Sequence, residues 1–336
     1  MRDTEVLDSA ILREVVHRDE VVTVRRQWHH LPPEDDQPPL VVERTVSTDG
    51  PSRPPVLLVH GFCQNRFSWR ISGRSLVARL AQEGFEVLNV ELRGHGLSRE
   101  AGAGNADGFG DYVDDVTRIV SRLPQAPFLV GHSLGGAVSV GVSTRVPLAG
   151  LVPLAGVYTF ATRNPTIRAL GRLSLAAGPL LPATARVSTG WIGRMIGRLY
   201  SVSDVAGFGF PIAGWTPGSV ERELLEERLE RGMDWTSVEV WLQMSRWANG
   251  ERLAYADAFQ QTDVPLLVIV GDRDPLVSIA DARCCYEESG SSDKQLAVFD
   301  AFEHQVHWGH LDLILGKKAP EEVWPRLVKW MVERAG

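Results

Sequence analysis

Long apolar runs are missing from this chain. No stretch reaches the roughly 18 uncharged apolar residues that a membrane-spanning helix requires. Cysteine is scarce, three in 336 residues with Cys284 and Cys285 adjacent, and that number and spacing suggest neither a disulfide framework nor a zinc site. A basic excess is missing too. The net charge of −7 and pI near 5.8 leave no global field for nucleic acid. There are no internal repeats and no low-complexity tracts, and the acidic opening Met1-Arg2-Asp3-Thr4-Glu5 leads into no apolar signal core. These absences predict a soluble, cytoplasmic protein in a reducing compartment, with no nucleic-acid partner and no cofactor or metal.

What is present is ordinary globular material, 44% hydrophobic and 23% charged. A chain of 336 residues is long for one compact domain and short for two, which fits a single α/β core with an insertion. Val21 to Val24 and Leu40 to Val42 read as antiparallel strands after a polar opening, separated by the proline- and acid-rich link from Leu31 to Pro39. Val56 to Val59 is continuously apolar, the pattern of a strand buried on both faces of a parallel sheet. A helix from Ser75 to Gln82 with Gly84 as its cap, a strand from Phe85 to Val90 and an amphipathic helix from Asp111 to Leu123 follow. Phe128 to Val130 and the apolar stretch Leu148 to Val157 read as further strands. Val264 to Val270 and Leu296 to Phe299 complete the set, and a C-terminal helix buries Val323, Leu327, Val328, Trp330 and Met331. Strands alternating with helices imply βαβ units and a mostly parallel central sheet flanked by helices. Between Tyr158 and Thr262 the rhythm breaks over a length too great for a loop. The expected organisation is a core of residues 1–157 and 263–336 and an inserted helical cap of residues 158–262.

The densest chemistry lies in Gly131-His132-Ser133-Leu134-Gly135-Gly136, where a short apolar strand runs into a serine between glycines and then a small-residue helical segment. That layout is a nucleophile elbow: the tight turn strains the serine backbone and lifts its hydroxyl above the strand ends. A serine nucleophile needs a base, a carboxylate to orient it, and donors for the oxyanion. Candidates are sought where parallel strands end. Asp274, in Gly271-Asp272-Arg273-Asp274-Pro275, is the carboxylate candidate, preferred to its neighbour Asp272 because Pro275 stiffens the following backbone; a bland Asp-Gly-Pro turn would look much the same. His310 is the base candidate because Gly309 permits a tight loop before it, while His304 and His307 read as loop residues. The order Ser133, Asp274, His310 is the one expected when acid precedes histidine. The backbone amides of Phe62 and Leu134 are the oxyanion candidates. His60 and His95 read as loop-holding residues, and His132 as facing away from the reacting side.

Taken together, His60-Gly61-Phe62, Arg93-Gly94-His95-Gly96, the elbow, Gly271-Asp272-Arg273-Asp274 and Gly309-His310 resemble the α/β-hydrolase superfamily over roughly residues 40 to 335. The tail Gly309-His310-Leu311-Asp312-Leu313-Ile314-Leu315-Gly316, with Val323-Trp324-Pro325, is similar to the branch of acid lipases and polyhydroxyalkanoate synthases. The synthases use cysteine where this chain has Ser133, which turns the resemblance toward hydrolysis. Dehalogenases and epoxide hydrolases carry an aspartate there. The resemblance implies an esterase- or lipase-like serine hydrolase. An acyltransferase using the same acyl-enzyme is the alternative, and a non-catalytic ligand-binding member of the fold a further one.

Two features of the cap bear on the substrate. Six arginines (163, 168, 172, 186, 194 and 198) and no acid lie between Val157 and Ser203. The segment Trp191 to Tyr200 mixes that charge with large apolar residues, a face suited to weak contact with a membrane surface, though a simply solvated face is the preferred reading. Further on, Trp241, Met244 and Trp247 are expected on one helical face. Packing of the cap on the core is the preferred reading, and a wall for a hydrophobic ester pocket, formed by some of them, is the alternative.

Overall fold

The computed structural model describes residues 1–160, 165–178, 186–188 and 214–335. Chain order begins with three antiparallel strands, β1 (Glu5–His17), β2 (Glu20–Leu31) and β3 (Leu40–Ser47). Next come β4 (Val56–Val59), the short β5 (Arg70–Ile71) and β6 (Arg74–Ser75), helix α1 (Leu76–Gln82) and β7 (Val87–Glu91). Helices α2 (Gly96–Glu100) and α3 (Phe109–Ser121) lead to β8 (Phe128–His132), α4 (Leu134–Ser143) and β9 (Gly150–Leu154).

The intervening segment contributes α5 (Pro165–Ala177), β10 (Arg186–Ser188), α6 (Arg222–Arg231), β11 (Trp235–Ser237), α7 (Val238–Ala248) and α8 (Ala256–Phe259). The chain then returns through β12 (Leu266–Gly271), α9 (Ile279–Glu288), β13 (Lys294–Phe299), α10 (Ala301–His304) and α11 (Asp312–Leu315) to α12 (Val323–Val332).

The strands form an 11-stranded sheet in the order β13-β12-β9-β8-β4-β7-β3-β2-β1-β6-β5. From β13 to β7 every pairing is parallel; beyond β7 the pairings are antiparallel. The parallel strands are apolar throughout because both faces are covered. In β4, Val56 and Leu58 join the cluster under α1 and α12, whereas Leu57 and Val59 join the one under α3 and α4. The C-terminal helix buries Val323, Leu327, Val328, Trp330 and Met331. Ser75 caps α1 by accepting from the Ala78 amide at 3.0 Å, and Gly84 follows its end with φ of 86°.

Two elements differ from the sequence reading. The polar opening is a 13-residue strand, β1, paired with β2 along its length. Only Val16 of β1 is buried, so hydrogen bonding to β2 rather than an apolar face defines the strand, and the sequence shows little periodicity there. Within the segment read as helical, Arg186–Ser188 pairs antiparallel with Trp235–Ser237. The basic stretch Trp191 to Tyr200 and Arg163, Arg194 and Arg198 lie outside the described residues.

Candidate active site

Ser133 sits where β8 ends and α4 begins, at φ 58° and ψ −122°. The surrounding glycines are there because backbone passes too close for a side chain. A Cβ at Gly131 would lie 2.1 Å from the Gly135 carbonyl oxygen, and one at Gly135 would lie 2.3 Å from that of Val59. The strained turn is secured by Ser139 Oγ donating to the Gly135 carbonyl at 2.7 Å and by the Val157 amide donating to the Ser133 carbonyl at 2.9 Å.

Asp274 follows β12, and His310 lies in the loop before α11. The structure brings them together: His310 Nδ1 donates to Asp274 Oδ2 at 2.7 Å, and both side chains are almost fully buried. Asp274 Oδ1 accepts from the amides of Leu276 (2.8 Å) and Val277 (2.9 Å), which fixes the carboxylate plane. His310 Nε2 is buried and has no partner among the described residues. Ser133 and His310 line one cavity of about 80 Å³, walled by Phe62, Val157, Phe160, Leu170, Trp241 and Met244. A free imidazole nitrogen, a hydroxyl and apolar walls therefore share one pocket.

The His310 loop is anchored by a carboxylate that sequence reasoning passed over. Asp312 Oδ2 accepts from the Gly309 and Thr216 amides at 2.7 and 2.9 Å, and its Oδ1 from Ser219 Oγ at 2.7 Å. Burial raises the Asp312 carboxyl, against the pull of those bonds. Gly214 packs against His310, so closely that a Cβ there would lie 2.6 Å from the His310 Cβ.

The rival residues have other partners. Asp272 Oδ2 pairs with His307 Nδ1 at 2.6 Å, and its Oδ1 accepts from the Trp308 amide at 2.9 Å. His304 packs against the Phe299 ring at 4.7 Å. His132 is fully buried and donates through Nε2 to the His310 carbonyl at 3.1 Å. Burial, and then the neighbouring His310 ring, push its imidazole well below the ordinary value. His60 donates through Nδ1 to the Gly61 carbonyl at 2.9 Å, and burial holds it down to about 3. Both imidazoles stay neutral beside the site. His95 likewise donates to the Arg93 carbonyl at 2.9 Å.

Leu134 is the first residue of α4, so its amide has no intrahelical acceptor, and Phe62 lines the cavity. Trp241 and Met244 also line it, with Trp241 stacked at 5.6 Å from the Phe62 ring. Trp247 does not join them. It is buried on the far side of α7, edge-on to Phe109 at 4.9 Å. Among the described residues no group of three or more His, Cys, Asp and Glu could hold a metal ion, and no helix is long and apolar enough to cross a membrane.

A mostly parallel sheet carrying a serine at a strained strand-to-helix turn defines the α/β-hydrolase architecture. The chain belongs to the alpha/beta hydrolase family, whose model matches residues 56–323. It is 24% identical over 275 residues to a monoacylglycerol lipase of Mycolicibacterium smegmatis, covering 79% of this chain and 86% of that protein. It is 30% identical over 100 residues to a probable alcohol acetyltransferase of Saccharomyces cerevisiae, covering 30% of this chain and 28% of that one. The chain spans between 26% and 57% of the length of that protein and two other curated relatives it matches. Among solved structures, an esterase from Thermogutta terrifontis superposes with a TM-score of 0.62 at 18% identity, covering 92% of this chain and 100% of that one.

Proposed function

We propose that this chain is a serine hydrolase that cleaves carboxylic esters with a hydrophobic acyl or alcohol part. The observation that carries the reading is the buried Asp274–His310 pair, whose free Nε2 shares an apolar cavity with Ser133. In this reading Ser133 Oγ attacks the ester carbonyl while His310 Nε2 takes its proton. Asp274 keeps the imidazole in the Nδ1–H tautomer and stabilises the imidazolium that forms. The amides of Phe62 and Leu134 receive the oxyanion. Collapse expels the alcohol with the proton from His310, and a water deprotonated by the same nitrogen then releases the acid from the acyl-enzyme. Residues 158–262 act as the cap, supplying Trp241 and Met244 to the wall that contacts the hydrophobic group. The names of the lipase and esterase relatives agree with this chemistry.

Ser133→Ala is expected to lower turnover of a p-nitrophenyl ester by about 10⁴-fold or more while the protein stays folded. Unchanged turnover would overturn the assignment. The acetyltransferase relative favours one other reading, in which the acyl group passes to an alcohol rather than to water. Product analysis with an added alcohol acceptor separates the two. Esters graded in chain length, with and without anionic vesicles, map the acyl preference. The vesicle arm also tests weak membrane contact through α5, where Leu173 is exposed beside Arg168 and Arg172.

A further inference from the structure

Arg228, on α6, is 1% exposed and forms no ion pair with a carboxylate among the described residues. Among the described residues its Nε and Nη1 are buried without partners, and Nη2 donates to Ser68 Oγ at 3.2 Å. Burial alone pulls its guanidinium down to about 10, which still leaves it charged at neutral pH. A buried, uncompensated cation is destabilising, so its presence calls for a reason outside stability.

The bond to Ser68 leads to the candidate active site. Ser68 Oγ lies 2.9 Å from Gln64 Oε1 and 2.8 Å from the Asn65 carbonyl, and its single proton is shared between them. Gln64 is 7% exposed and lines the cavity that holds Ser133 and His310. A Cβ built on Gly61 would lie 2.9 Å from Ser133 Cβ and 3.4 Å from Gln64 Cδ, so the amide and the nucleophile flank the same small gap. The cation fixes which way the amide points. Its carbonyl oxygen faces Ser68 and Arg228, because the reverse orientation would turn the positive end of the amide dipole toward the guanidinium. The NH₂ group is left to face the cavity, where Gln64 and Ser245 are the polar side chains besides Ser133 and His310.

We infer that the Gln64 side-chain NH₂ is a third donor to the oxyanion formed at Ser133, with Arg228 as the positioning residue that orients it through Ser68 and adds its own positive field. The assignment rests on the serine-hydrolase reading. No bond breaks at Gln64; its amide keeps both protons, and the hydrogen bond strengthens only as negative charge develops on the carbonyl oxygen. The loop carrying Gln64 is held from the cap side as well. Its backbone bridges Met233, the Asp234 amide donates to the Cys63 carbonyl at 2.8 Å, and Asn65 Nδ2 donates to Asp234 Oδ2 at 3.2 Å.

The first measurement is fluorophosphonate labelling of Ser133 in the wild-type chain. If the wild type is not labelled, the hydrolase reading fails before Gln64 is tested. With labelling established, Gln64→Leu is expected to lower kcat by about 10²–10³-fold across p-nitrophenyl esters of every chain length, with KM changed by less than about threefold. Gln64→Asn, which keeps the NH₂ on a shorter arm, should recover part of the loss.

Arg228→Met should lower kcat about tenfold or more while the melting temperature holds or rises, since a buried charge without a carboxylate has been removed. A purely structural arginine would give the opposite pair of signs. Combining Gln64→Leu with Arg228→Met should cost little more than Gln64→Leu alone. Wild-type kcat in Gln64→Leu, or a loss confined to KM, would overturn the assignment. So would a fall in melting temperature without a fall in kcat for Arg228→Met.

Discussion

Two aspartate–histidine pairs stand at the same end of the sheet, two and three residues apart in sequence, and their contact lengths are nearly equal. Asp274 meets His310 at 2.7 Å and Asp272 meets His307 at 2.6 Å. Their surroundings differ. The side chains of the first pair are 0% and 2% exposed, those of the second 15% and 45%. Asp274 has its second oxygen held by two amides and its histidine turned into the cavity of Ser133, whereas Asp272 uses its second oxygen to pin the Trp308 amide. The short contact is common to both, so it cannot mark a catalytic pair. What separates them is exclusion from water, which strengthens the attraction, and a free Nε2 on a ring that lines the cavity together with Ser133.

The sharpest way to break that contrast is to neutralise each acid in turn. Asp274→Asn preserves shape but favours the wrong imidazole tautomer, and turnover is expected to fall by about 10³–10⁴-fold. Asp272→Asn should change turnover by less than threefold and lower stability by about 0.5–1.5 kcal/mol through the loosened Trp308 loop. Measured kcat and melting temperature for the two variants decide the matter; equal losses of kcat would erase the distinction.

A smaller effect concerns buried histidines that have no acid partner. Burial holds His60 at about 3 and His29 at about 4, both below the ordinary 6.5. The unfolded chain takes up these protons at higher pH than the folded one. The stability they allow is therefore full above pH 6.5 and is lost as the pH falls toward 4. Melting temperature should decline over that window. His60→Gln should flatten the decline. A His60→Gln profile that runs parallel to wild type would exclude His60 as a source of the acid sensitivity.

The parts of this molecule that were legible in the sequence are those governed by short-range rules. The elbow could be read because its glycines and serine are contiguous, and the parallel strands because burial on both faces leaves unbroken apolar runs. Asp274 and His310 could be named because each follows its own strand. The Asp272–His307 pair was invisible, since nothing local says which aspartate faces which histidine. Trp247 packs the cap on the core, one of the two roles expected of the stretch, and helical geometry explains why it does not line the cavity. Three residues from Trp241 to Met244 keep roughly the same face, but six residues to Trp247 turn about 120° away from it.

Gln64 and Arg228 escaped for another reason. They meet through Ser68 across some 160 residues of chain, and a lone buried arginine has no sequence signal at all. The strand β1 was lost because its partner, not its own pattern, makes it a strand.

The backbone of Ser133 has a consequence for anyone trying to make this protein more robust. A non-glycine residue at φ 58° and ψ −122° holds about 1–3 kcal/mol of strain, out of a net folding stability of about 5–15 kcal/mol for a typical domain. Position 133 is therefore one where glycine would be expected to relieve tension, and where, on the proposed serine-hydrolase reading, a library screened for heat resistance alone would be drawn to an inert molecule. On that reading, selection schemes for this chain need a catalytic readout in every round, because the thermodynamic optimum and the working sequence diverge at position 133.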